Sequence, residues 1–191
     1  VDGMKMDDAQ TGHHTLNMAL PLYLIERVEI IKGPAARIFG QNAFNGAINI
    51  VTKDFEGEKG TIHMNLNELS YGSFEQKNIS LSTKITGENI KSLISYSGNR
   101  SDGYRHNTDY KRNNYFIKTS FNTNKSPVNI ITSFNENKFG ANGFYASPSA
   151  TEQYEETQAS LLGITTTINS EKLSITPRLY WRRGQDEYIY I

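Results

Sequence analysis

From about residue 60 onward, apolar and polar residues alternate with period two, the mark of β-strands whose two faces meet different surroundings. "TIHMNLN" puts Ile62, Met64 and Leu66 on one face and His63, Asn65 and Asn67 on the other. "NISLSTKI" sets Ile79, Leu81 and Ile85 against Ser80, Ser82 and Lys84. The split recurs with Ile90, Ile94 and Tyr96, where Leu93 breaks the polar face, and with Tyr115, Ile117 and Phe121 against Lys118 and Ser120. Val128, Ile130 and Phe134 oppose Asn129 and Ser133. Leu173, Ile175, Leu179 and Trp181 oppose Ser174, Thr176, Arg178 and Tyr180. Thr157 to Ile168 is also strand-like, but its two faces are hard to tell apart. Pro177 fits poorly inside a strand, because it removes a ladder hydrogen bond.

These stretches predict about seven strands after residue 55, and their connections are unequal. "TGEN", "NKSP" and "NSEK" are short and polar, and "SYGS" is a tight turn, whereas Asn99 to Arg112 and Lys138 to Glu155 are long loops. Antiparallel strands of about ten residues, with short turns at one end and long loops at the other, describe a membrane-spanning β-barrel. Tyr71, Phe74, Tyr96, Phe134, Phe139 and Trp181 are expected toward the long-loop ends and Phe121 toward the other, as interfacial girdles require.

Residues 1–54 have a different texture. "LIERVEIIKG" reads as a strand ended by Gly33, and Pro34 suits the first position of a short helix over "PAARIF". Gly40 ends that helix, and "GAINIVTK" reads as a second strand. A unit this small has too little apolar area to stand alone and needs a wall to pack against. The expected fold class is therefore β, a fragment of a transmembrane antiparallel barrel, with a small α+β plug domain in its lumen. The expected boundaries are plug at 1–54 and the first strands of the wall at 55–191.

Composition narrows the chemistry. Lys plus Arg and Asp plus Glu each number 20, so net charge is zero and gives no footprint for nucleic acid. Cysteine is absent, which excludes disulfides, thiolate metal sites and thiol catalysis. No apolar run approaches the roughly 18 residues of a spanning helix, and no signal peptide is seen, so the chain reads as a mature or truncated product. The mean hydropathy of −0.56 is what a barrel gives when half of its strand residues face a wet lumen. Gly40 is not followed by the Gly-Lys-Ser/Thr of a phosphate loop. No Ser lies in a Gly-x-Ser-x-Gly frame, and His63 and His106 have no evident catalytic partners. No enzyme is expected.

"LIERVEIIKGPAARIFGQNAFNGAINIVTK" (Leu24 to Lys53) resembles the closing half of the plug domain of TonB-dependent outer-membrane receptors, and "VDGMKMDD" is similar to the segment that precedes it there. The resemblance implies a plug inside a barrel of about 22 strands, so this chain is expected to be a fragment, since an open sheet edge is not tolerated in lipid. It implies the outer membrane of a Gram-negative bacterium, with lipid and lipopolysaccharide around the wall. It also implies uptake of a scarce metal chelate, cobalamin or an iron siderophore, driven by TonB pulling on a segment before residue 1. A SusC-like glycan importer with a surface lipoprotein partner is the alternative within the family. Lys32-Gly33-Pro34 and Phe39-Gly40-Gln41-Asn42 depart from that branch's turn motif. A non-transport β-sheet binding module is the alternative outside it, and would need a dry core that Lys84, Lys118, Arg178 and Arg182 argue against.

By position in such receptors, residues 7 to 17 form the ligand-facing plug loop. The candidate ligand contacts are Asp7, Asp8, Gln10, Thr11, His13, His14 and Asn17, with Phe144 and Tyr145 from a wall loop as stacking surfaces. His13 and His14 are also plausible as solvated loop histidines, because adjacent histidines rarely converge on one metal. Arg27 and Glu29 share a strand face and are expected to meet polar barrel wall. No cofactor is expected. Asp102, Asp109, Glu152, Glu155 and Glu156 are candidate calcium ligands, although their spacing matches no defined calcium loop and solvated charge explains them as well.

Overall fold

The alternating stretches form one antiparallel sheet of seven strands in the computed structural model, which describes residues 1–6, 20–34, 36–40, 43–54, 57–123, 126–144 and 147–190. A plug hairpin comes first: β1 (Ile25–Lys32) pairs with β2 (Gly46–Thr52), and the helical turn α1 (Ala36–Phe39) lies between them. The wall consists of β3 (Thr61–Tyr71), β4 (Lys77–Thr86), β5 (Ile90–Ser101), β6 (Tyr110–Phe121), β7 (Val128–Gly140), β8 (Tyr154–Thr166) and β11 (Arg178–Ile189). Neighbours in sequence are neighbours in space, so the wall is a simple meander. Two short strands, β9 (Ile168–Asn169) and β10 (Ser174–Ile175), make a small hairpin between β8 and β11. The expected strand over Leu173 to Trp181 is thus broken at Thr176–Pro177, where proline needs no ladder partner.

The outward row of the wall is apolar and the inward row polar. Ile62, Leu81 and Ile94 are 66%, 42% and 43% exposed, whereas Ser82, Ser95 and Ser133 are 6%, 4% and 4% exposed. A water-soluble sheet would hide the first set and show the second. Register carries the outward rows across the strands: Met64, Thr83, Ile94, Ile117, Thr132, Leu162 and Trp181 are successive cross-strand partners. Higher up, Leu81, Tyr96, Tyr115 and Phe134 follow one another, and the rings of Tyr96–Tyr115 and Tyr115–Phe134 lie 5.1 and 6.2 Å apart. That row is an aromatic belt. Trp181 is not in it: it enters β11 from the short-turn side, level with Ile94 and Ile117, contrary to the sequence-based placement.

One bulge maintains the pattern. Leu66 faces Leu81 and Glu68 faces Ser80, so Asn67 is an extra residue, and its amide donates to Ser82 Oγ at 3.0 Å. Were Asn67 paired regularly instead of bulged, Leu69 and Tyr71 would turn inward. A wall strand of 13 residues such as β7 is about 43 Å long. Tilted by about 40°, it still overreaches an apolar band about 25 Å tall.

In the plug, Gly33, Gly40 and Gly46 show two different reasons for glycine. Gly33 and Gly40 have φ of 91° and 92°, with open space where a Cβ would sit, so conformation alone selects them. Gly46 has φ of 150°, and a Cβ there would lie 2.5 Å from the Ile31 carbonyl oxygen. Close backbone approach is what excludes a side chain at Gly46.

Candidate functional site: plug seat and loop mouth

Four apolar side chains interrupt the polar inner face of the wall: Leu93, Phe116, Ile131 and Leu161, each buried. They are near neighbours by register. Lys118 stands opposite both Leu93 and Ile131, and Ser133 stands opposite both Phe116 and Leu161. Together with Val1, Met4, Leu20, Leu24 and Ile50 of the plug they form one hydrophobic cluster, with Met6, Tyr23 and Ile25 packed on its rim. At about 1.5–3 kcal/mol for each fully buried apolar side chain, the four wall residues contribute up to about 6–12 kcal/mol to holding the plug, an upper bound.

Polar contacts surround this seat. Lys118 Nζ donates to Thr52 Oγ1 at 3.0 Å and to the Lys53 carbonyl at 3.3 Å. The Asp2 carboxylate accepts from the Thr52 amide at 2.9 Å and from its hydroxyl at 2.7 Å, and Arg178 Nε donates to the Asp2 carbonyl at 3.3 Å. Tyr23 Oη donates to the Leu81 carbonyl at 3.4 Å and is hydrogen-bonded to Ser95 Oγ. Thus both the first segment of the plug and its last strand are tied to the wall. Beside these contacts lies a cavity of about 450 Å³, lined by Asp2, Glu26, Asp54, Lys91 and Lys118 among others.

Arg27 and Glu29 satisfy each other. Arg27 Nε donates to Glu29 Oε1 at 2.8 Å and its Nη1 to Glu26 Oε1 at 3.0 Å, while Asn49 on β2 donates to Glu29 Oε2 at 2.8 Å. The Asn49 bond first, and then Arg27, hold the Glu29 carboxyl below its ordinary range. The same pairing with Glu29 raises the Arg27 guanidinium. Among the described residues, no hydrogen bond or ion pair from either reaches the seven-stranded sheet.

At the other end of the wall, loops 102–109 and 141–153 are interlocked. Asn107, held in the left-handed region at φ 49°, donates from its amide to the carbonyls of Thr151 at 2.7 Å and Gln153 at 2.6 Å. Its fit is close: a Cβ on Gly140 would come within 2.4 Å of Asn107 Oδ1. His106 Nε2 and Glu152 Oε1 are 2.7 Å apart, and Asn142 donates to the His106 carbonyl. The contact with His106, and then the Thr151 hydroxyl, hold the Glu152 carboxyl below its ordinary range. Phe144 is 77% exposed and borders a hollow of about 520 Å³ with Arg105, Phe139 and Pro148. Asp7, Asp8, Gln10, Thr11, His13, His14, Asn17 and Tyr145 lie outside the described residues. Among the described residues, no three His, Asp or Glu side chains gather in a way that could hold a metal; Glu152 faces His106, and Glu156 pairs with Lys138 at 2.7 Å. Leu93 is visible in sequence as a break in the alternation, but Phe116, Ile131 and Leu161 gave no separate signal.

A wall that is apolar outside and polar inside, with a small folded unit bolted to its inner face, defines a plugged transmembrane β-barrel. Comparison with known proteins adds what the chain is similar to. Residues 1–47 match the TonB-dependent Receptor Plug Domain family. The chain is 32% identical over 108 residues to the vitamin B12 transporter BtuB of Vibrio vulnificus strain YJ016, covering 56% of this chain and 17% of that protein. It is 37% identical over 83 residues to the protein of the same name from strain CMCP6, covering 44% and 13%. Among solved structures, the copper transporter OprC superposes with a TM-score of 0.66 at 13% identity, over 83% of this chain and 25% of that one, which is a likeness of fold. The chain thus carries a match to the plug domain of TonB-dependent receptors over its first 47 residues, and it spans less than a fifth of the length of these curated relatives.

Proposed function

We propose that the receptor containing this chain sits in the outer membrane of a Gram-negative bacterium and imports a scarce metal chelate. Cobalamin is the favoured ligand, and TonB supplies the energy through a segment preceding residue 1. The observation that carries this reading is the plug seat. A folded unit fixed to the inner face by Leu93, Phe116, Ile131 and Leu161 closes the lumen, so passage requires an input of work that moves it. The cobalamin assignment rests on the relatives named vitamin B12 transporter; the copper transporter shares the fold only. In this scheme residues 7–17 and the Phe144 hollow face the incoming ligand, and Arg27 and Glu29 meet wall strands beyond the seven seen here. Residues 1–54 act as plug and 55–191 as wall.

The test is uptake of radiolabelled cyanocobalamin by cells carrying the whole receptor, with and without TonB. Deletion of Asp7 to Asn17 should abolish uptake while the barrel still inserts. Uptake that persists without TonB, or that survives the deletion, refutes the scheme. Binding of a ferric siderophore or of copper in place of cobalamin refutes the ligand alone.

A further inference from the structure

Loop 102–109 folds into a compact post. Gly103, at φ 81°, turns the chain back so tightly that a Cβ there would lie 2.5 Å from the Thr108 backbone. The Thr108 hydroxyl donates to the Arg105 carbonyl at 2.8 Å and accepts from the Arg105 amide at 3.3 Å. The foot of the post is fixed to the turn after β3, where the Phe74 carbonyl accepts from the Asp102 amide at 2.8 Å and the Ser101 hydroxyl at 3.0 Å. Loop 141–153 is longer and closes at a neck, where the Ala141 amide donates to the Gln153 carbonyl at 2.9 Å. Beyond that neck its two arms are joined to the post through adjacent residues. The His106 carbonyl takes the Asn142 side-chain amide on one arm, and the Asn107 side-chain amide takes the Thr151 carbonyl on the other.

The hollow at the mouth lies between these two bodies. Arg105 and Thr108 come from the post, whereas Asn142, Phe144 and Pro148 come from the longer loop, so neither loop encloses it alone. The ties between the loops are unequal. His106 and Glu152 are exposed on both sides, and an ion pair in water contributes little. Asn107 is half-buried and directs its side-chain amide at two carbonyls, those of Thr151 at 2.7 Å and Gln153 at 2.6 Å. Its left-handed backbone is one that asparagine tolerates better than most residues. We infer that Asn107 is a positioning residue for ligand capture: it joins the two loops into one preformed pocket and so holds Phe144 where an incoming ligand stacks. The inference rests on the ligand-facing role proposed above for the Phe144 hollow. A pocket assembled beforehand spares the ligand the cost of ordering the loops, which is how an amide outside the hollow reaches its affinity.

The experiment uses the whole receptor in nanodiscs with radiolabelled cyanocobalamin as the probe, and follows amide hydrogen exchange over residues 147–153 in parallel. Asn107→Asp keeps size, shape and tolerance of positive φ, but it has no hydrogens to donate and sets a carboxylate against two carbonyls. It should raise the Kd by at least about tenfold, as expected for two lost hydrogen bonds, and speed exchange over 147–153. Asn107→Gly removes the donors without adding charge and should act in the same direction. Phe144→Ala separates positioning from bulk stability. It should weaken binding in the parent and add little in the Asn107→Asp background, because a ring already displaced cannot lose its contact twice. An unchanged Kd in both Asn107 variants, or penalties of Asn107→Asp and Phe144→Ala that simply add, would overturn the inference. A parent that binds no cyanocobalamin refutes the ligand reading instead. In that case unchanged exchange in Asn107→Asp overturns the joint between the loops as well, and faster exchange upholds it.

Discussion

Replacing Phe116 with alanine should loosen the plug without opening the wall. Phe116 is 2% exposed and sits at the centre of the seat, in the cluster shared with Met4, Leu24 and Ile50. Its truncation removes an aromatic side chain from a packed contact, a change that costs about 3–5 kcal/mol. The backbone ladders to β5 and β7 are untouched, so the loss falls on the plug–wall contact. A loosened plug becomes roughly 10²–4 × 10³ times more populated. Its neighbour Ile117 provides the control, because it points outward and is 41% exposed; Ile117→Ala leaves the seat intact. In planar bilayers, the whole receptor carrying Phe116→Ala should conduct at urea concentrations where the parent and Ile117→Ala remain closed. Equal opening midpoints for Phe116→Ala and Ile117→Ala would refute the seat.

Three further expectations follow from the same contacts. Lys118→Met removes charge-assisted bonds to Thr52 and Lys53, each class worth about 1.5–3 kcal/mol, and should lower the urea midpoint of the plug while barrel melting in calorimetry is unchanged. Gly46→Ala forces a methyl group against the Ile31 carbonyl at positive φ; a loss of at least about 1 kcal/mol in plug stability is expected, and an unshifted urea midpoint would exclude strain at this position. The His106–Glu152 tie should respond to acid in one direction. Because the folded Glu152 carboxyl titrates below its ordinary value, the tie is complete above the unfolded carboxylate range and is lost as pH falls through the lowered folded value. Hydrogen exchange in residues 102–109, corrected for intrinsic rates, should therefore rise only on strong acidification, and Glu152→Gln should remove that step.

Much of the fold was legible because its two solvents are so different. Ile62, Leu81 and Ile94 alternate with Asn and Ser, and no tertiary contact competes with that pattern on the outer face. The inner face was harder. Leu93 disturbs the alternation because a second body lies against the wall there, and the faces of β8 were hard to tell apart for the same reason: Leu161 serves the plug while Leu162 and Ile164 face outward. The bulge at Asn67 was invisible, since a single inserted residue shifts phase without changing composition. Trp181 was misplaced because the connection before it carries its own hairpin, β9–β10, so that β11 starts later than the apolar run suggests. Asn107 was not legible at all. Its role depends on two loops meeting, and no spacing within either loop encodes that.

The hydroxyl-rich ground around the seat bears on how the plug lets go. Ser95 and Ser133 flank Phe116 in register, so any gap that opens beside it is lined at once by groups that welcome water. Dispersion contacts lose a quarter to a half of their strength over a separation of about 0.5–1 Å. Such a joint does not stretch; under a steady pull it holds nearly its full strength and then fails in a single step.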